Sequence, residues 1–121
     1  MKSNSIFDSF GYAIGGIVHS ISDNRNMRIH IVVAIFVFLA AILFHLPKDE
    51  MIDVMVMMVL VIGAEMINTS IEEMTDLITT EHRKEARIAK DVAAGTVLVI
   101  SSGAAIIGIY IFLPYIIKLL N

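Results

Sequence analysis

The chain has 121 residues, 57% of them hydrophobic and only 17% charged, with a formal net charge of -3 and a mean hydropathy of +0.80. This length allows one domain, and so apolar a composition belongs in a bilayer, since soluble domains carry about a quarter of their residues charged. The acidic balance and the lack of a recognition motif exclude nucleic acid as a partner, and the absence of cysteine excludes disulfides, thiolate metal sites and thiol nucleophiles.

The start, MKSNSIFDSFGYAIGG, has no basic segment, apolar stretch and cleavage site of the kind a signal peptide needs, so residues 1–121 are read as a single membrane domain. Phe7, Phe10, Ile14, Ile17 and Ile21 recur at steps of three and four while Asp8, Ser9, His19 and Ser22 fall elsewhere. That spacing predicts an amphipathic helix over 6–22, lying on the membrane surface. Gly11, Gly15 and Gly16 weaken it as a helix and point to close packing instead.

A first span is expected over 29–46, apolar except for His30 and His45 near its ends. Its 18 residues reach roughly 27 Å, about the thickness of a hydrocarbon core. Pro47 followed by Asp49 and Glu50 is a helix-start pattern, so a second helix is expected over 51–78. The segment 79–91, TTEHRKEARIAKD, is read as a polar connection, and a third span follows over 92–113, with Gly95, Gly103, Ala104, Ala105 and Gly108 as small contact surfaces and Pro114 as its end. Lys2, Arg25, Arg28, Arg83, Lys84, Arg87 and Lys90 fall on one side of these spans, against Lys48 and Lys118 on the other. The excess puts the N-terminus and the 79–91 connection in the cytoplasm.

Within the second helix, Glu65, Asn68, Glu72 and Asp76 stand 3, 4 and 4 residues apart. Such steps gather all four within roughly 80° of one helix face. Ionisable groups in hydrocarbon are expensive, so the stripe is a candidate functional site. Carboxylates with an amide between them suit a hard divalent cation such as Mg²⁺, and Glu65, deepest in the apolar stretch, suits a general base toward a hydroxyl. The cations of the connection suit phosphate oxygens. A small cation-transporting oligomer and a structural subunit of a larger complex would also use such carboxylates, and spacing alone leaves these readings open. His19, His30 and His45 are assigned to no metal, and the methionines of the second helix are read as packing.

The run Glu65-Met-Ile-Asn68-Thr69-Ser-Ile-Glu72-Glu-Met-Thr-Asp76, followed by Ala89-Lys90-Asp91 and Ala93-Ala94-Gly95, resembles the signature of the small prokaryotic diacylglycerol kinase family. Asn26-Met27-Arg28-Ile29-His30 and Gly11-Tyr12-Ala13 with Gly16 extend the likeness to about residues 6–115. Asn-Met-Arg-Ile-His and Lys-Asp-Val-Ala-Ala-Gly look most like the branch that phosphorylates undecaprenol. The resemblance implies an all-helical homotrimer with three spans and a surface helix per subunit, active sites shared between subunits, and ATP- and Mg²⁺-dependent phosphorylation of a lipid alcohol at the bacterial cytoplasmic membrane. Undecaprenol is the first substrate it implies; diacylglycerol, or a catalytically weakened member, is the alternative.

By the same resemblance Glu65 is the base, Glu72 a metal ligand and Asn68 and Asp76 support. Tyr12, Glu81, His82, Arg83, Lys90 and Asp91 match positions that meet ATP. One position departs from the pattern: where the family carries a second glutamate for the metal, this chain has Asn24, with Asp23 beside it as a possible substitute ligand. No P-loop or protein-kinase motif occurs, as the resemblance implies.

Overall fold

A computed structural model describes residues 5–121, so Lys2, counted among the cations above, lies outside the described residues. Four helices follow in order: α1 (Ile6–Asp23), α2 (Arg25–Leu43), α3 (Lys48–Ile78) and α4 (Lys84–Leu120). No strand occurs among the described residues. Helices α2, α3 and α4 are each long and apolar enough to cross a membrane. At 1.5 Å per residue α3 and α4 measure roughly 46 and 55 Å, well beyond the roughly 30 Å of a hydrocarbon core.

The bounds differ from those expected, and each difference has a local cause. Helix α2 begins at Arg25 rather than 29 because Asn24 caps it: its side-chain oxygen accepts from the backbone N–H of Asn26 at 2.8 Å and of Met27 at 3.3 Å. The same residue ends α1, its N–H donating to the Ser20 carbonyl. Arg28 reaches back to the carbonyls of Ile21 and Ser22, covering acceptors that the end of α1 leaves open.

At its other end α2 stops at Leu43 rather than at 46. His45 takes a left-handed conformation, φ 54°, its N–H donating to the Ile42 carbonyl while that of Leu46 donates to Ala41. These are the paired bonds of a Schellman turn, and buried Leu46 packs with Ala41 and Val54 as the motif favours. Pro47 then leads into α3, which starts at Lys48 with Asp49 and Glu50 in its first turn.

The polar connection is mostly helix. Five residues, 79–83, make the turn, and Lys84–Asp91 form the first two turns of α4. Nor does Pro114 end α4, which runs on to Leu120. Proline removes one helical hydrogen bond but its fixed φ is helical, and Tyr115 holds the residues beyond it. The Tyr115 hydroxyl donates to Glu50 at 2.6 Å, and its ring lies 5.9 Å from that of Phe44, which also meets Phe112 at 6.1 Å.

Helix α3 is the central element, packing against α1, α2 and α4. Its burial is concentrated at Val54 and around Ala64, Glu65, Asn68 and Thr69. None of the glycines has another atom within 4 Å of where a Cβ would stand, so the close packing expected at Gly11, Gly15 and Gly16 is not found within one chain.

The left-handed turn yields a direct check. A β-branched residue fits that conformation worst, so His45→Ile should lower the thermal midpoint of the detergent-solubilised protein by the equivalent of about 1–2 kcal/mol, while His45→Gly should leave it unchanged or higher.

Candidate functional site

The polar stripe of α3 forms a gradient of exposure. Glu65 is 1% exposed, Asn68 3% and Thr69 7%, whereas Glu72 is half-buried and Asp76 exposed. A buried carboxylate needs partners to offset its lost hydration, and those of Glu65 come from the α1–α2 junction. Asn24 Nδ2 donates to Glu65 Oε1 at 2.8 Å and to Thr69 Oγ1 at 2.8 Å. His30 Nε2 lies 3.9 Å from the other oxygen, Oε2. Thr69 completes the cluster by donating from its hydroxyl to the Glu65 backbone carbonyl at 3.0 Å.

One turn on, Asn68 Nδ2 donates to Glu72 Oε1 at 3.2 Å. The carbonyl oxygen of Asn68 is buried and takes no hydrogen bond. Glu72 supplies the hard carboxylate oxygen that Mg²⁺ selects; Asn68 turns its N–H₂ to that carboxylate, so its side-chain oxygen meets the same ion only with the amide turned over. Among the described residues no three or more His, Asp or Glu side chains gather into a metal-holding cluster.

Further along, the stripe meets α4. Asp76 accepts from Lys90 Nζ, joining the end of α3 to the second turn of α4. Around this pair lies a polar depression of about 590 Å³ whose wall includes Asp76, Glu81, His82, Arg83, Lys90 and Asp91. All the residues matched to ATP on α4 and on the turn before it thus share one concavity. Within it Arg83 pairs with Glu81 at 3.0 Å and Arg87 with Asp91 at 3.5 Å. Exposed pairs of this kind contribute little to stability, so their cations exchange partners at small cost.

Two expected residues stand apart. Tyr12 is half exposed on α1 and lines neither the polar depression nor the surroundings of Glu65. Asp23 pairs with His19 at 3.3 Å, and the other ring nitrogen of His19 lies 3.6 Å from Glu73, so Asp23 belongs to an exposed cluster. Sequence reasoning missed that His30 and Thr69 stand against Glu65. The signal for Thr69 was its place four residues after Glu65 on the same face. For His30 there was none, because its neighbour lies 35 positions away in the chain.

An apolar groove of about 340 Å³ runs between α2, α3 and α4, walled by residues such as Val33, Val54, Met58, Ala104 and Gly108. His30 belongs to its wall, so one part of the groove adjoins Glu65.

A family model described as prokaryotic diacylglycerol kinase matches residues 11–112. The chain is 37% identical over 111 residues to the undecaprenol kinase of Bacillus subtilis (strain 168), an alignment covering 92% of this chain and 90% of that protein. It is 36% identical over 113 residues to the diacylglycerol kinase of Synechocystis, covering 93% of this chain and 65% of that protein.

The Thr69 hydroxyl is a buried partner of both Asn24 and the α3 backbone. Thr69→Val, equal in shape, should therefore destabilise the protein by about 1 kcal/mol, read as a lower thermal midpoint. Thr69→Ser should cost less.

Proposed function

Since the chain belongs to the prokaryotic diacylglycerol kinase family of membrane lipid kinases, we propose that it transfers the γ-phosphoryl group of ATP to a membrane lipid alcohol, undecaprenol first and diacylglycerol second. The observation that carries this reading is the continuity of the α3 stripe: a buried carboxylate beside an apolar groove at one end, and the Asp76–Lys90 pair in a polar depression at the other. A reaction between a lipid hydroxyl and a water-borne nucleotide needs both surroundings within reach of each other.

In this reading Glu65 accepts the proton of the lipid hydroxyl as its oxygen attacks the γ-phosphorus, the bond to the β-phosphate oxygen breaks, and ADP leaves. Oε2 is the oxygen for this task, since Oε1 is engaged by Asn24. Glu72 would hold Mg²⁺, joined by the Asn68 side-chain oxygen once that amide turns over, and the bound ion would neutralise phosphate charge. Lys90, Arg83 and His82 bind phosphate oxygens, Asp76 orients Lys90, and Glu81 and Asp91 hold the neighbouring arginines Arg83 and Arg87 in position. Tyr12 joins the nucleotide from α1 only if that helix or another subunit brings it there.

The apolar stripe of α1, with Phe7, Phe10 and Ile14 exposed, supports a helix lying on the membrane surface. The homotrimer with shared active sites rests on the family resemblance; the open glycine positions of α4 leave room for a neighbouring helix to approach. The excess of cations at the α3–α4 turn supports a multi-pass bacterial membrane protein with a cytoplasmic N-terminus. The undecaprenol preference rests on the B. subtilis relative, of which the alignment covers the larger share.

Transfer of labelled phosphate from ATP to undecaprenol or diacylglycerol in detergent micelles tests the proposal. Glu65→Gln and Glu72→Gln should each reduce transfer about 100-fold or more, and retention of wild-type rates by both would refute the assigned roles. Lys90→Met should raise the KM for ATP about tenfold, the loss of one charge-assisted contact, with the KM for lipid unchanged.

A further inference from the structure

We infer that Asn24 is a positioning residue for Glu65 and takes no metal ion, although it stands where the resemblance implies a second metal ligand. The inference rests on the reading of Glu65 as the base.

The bonding capacity of the carboxamide is already filled. Its oxygen accepts from two backbone N–H groups, those of Asn26 and Met27, which uses both lone pairs. Its nitrogen has two hydrogens, and they go to Glu65 Oε1 and Thr69 Oγ1. The orientation is forced: turned over, the amide would set its oxygen against the Glu65 carboxylate and its N–H₂ against two N–H donors. For the oxygen to reach a cation, α2 would have to lose its cap. Asp23 does not replace it, being exposed and paired with His19.

Charge explains why an amide belongs here. A glutamate at position 24 would bring a second carboxylate against Glu65, which is 1% exposed, and only a cation between the two would make that pair tolerable. The N–H₂ of Asn24 supplies with two hydrogens what the cation would otherwise supply with its charge. Asparagine and glutamate at this position are therefore alternative ways to hold the base, one without metal and one with it. The chain then ligates Mg²⁺ through Glu72 with one protein carboxylate fewer. Because Oε1 is tied, Oε2 is fixed in direction as the oxygen that meets the hydroxyl, with His30 at 3.9 Å as its other neighbour.

Serine is a good helix cap but too short to reach Glu65, so Asn24→Ser separates capping from positioning. The full chain in lipid–detergent micelles should lose kcat at least tenfold in this variant, with the KM for ATP and the Mn²⁺ affinity, titrated by electron paramagnetic resonance, both within twofold of wild type. Glu72→Gln is the control that must lose Mn²⁺ affinity. In a Glu65→Gln background Asn24→Ser should reduce kcat no further, because its target is already gone. A fivefold or greater loss of Mn²⁺ affinity in Asn24→Ser, with Glu65→Gln inactive, overturns the inference alone and makes position 24 a metal ligand. An unchanged kcat in Asn24→Ser overturns it as well. Wild-type turnover in Glu65→Gln sinks the base reading and the positioning role with it. Should Asn24→Ser fail to fold, Asn24→Thr, also a cap, carries the same measurements.

Discussion

A single carboxamide holds the architecture together at its polar end. Asn24 closes α1, opens α2 and fastens both to α3 through Glu65 and Thr69. Those roles involve residues 41 and 45 positions away in sequence, and they meet because Glu65 is too deeply buried to remain without a donor. The direction in which α1 leaves the bundle follows from this one residue, since the chain has no other break between Ile6 and Leu43. Arg28, folding back over the last carbonyls of α1, reinforces the same corner.

The second constraint is length. Helices α3 and α4 exceed a hydrocarbon core by roughly 16 and 25 Å, and part of that surplus lies where their sequences turn polar, over 72–78 and 84–91. There the two helices carry Asp76, Arg87 and Lys90 on a rigid stem, with Arg83 at the end of the five-residue turn between them. Groups on helices are held more narrowly than groups on long loops, which suits phosphoryl transfer, a reaction that depends mostly on position and charge.

Much of this could be read from the residues themselves. The Glu65–Asp76 stripe followed from helical spacing, the three apolar helices from hydropathy, and the start of α3 from Pro47, Asp49 and Glu50. The family likeness, given by contiguous motifs, agrees with the relatives found. What periodicity could not reach were contacts across the bundle. Pro114 reads as a terminator unless Tyr115 is known to hold Glu50 and Phe44. Asn24 reads as a weakened metal ligand unless its two hydrogen-bonded ends are seen. His45 gives no sign of a left-handed turn, because glycine, not histidine, is the residue that marks one.

The aromatic contacts of Phe44 with Phe112 and Tyr115, and the bond from Tyr115 to Glu50, lie at the opposite end from the stripe. They fasten α4 to the start of α3 and to Phe44 at the Schellman turn, whereas nearer His30 the apolar groove lies between α2 and α4. That groove is walled almost wholly by apolar side chains. A lipid chain lying in it would exchange one hydrocarbon neighbour for another, so apolar burial alone would neither draw it in nor hold it there.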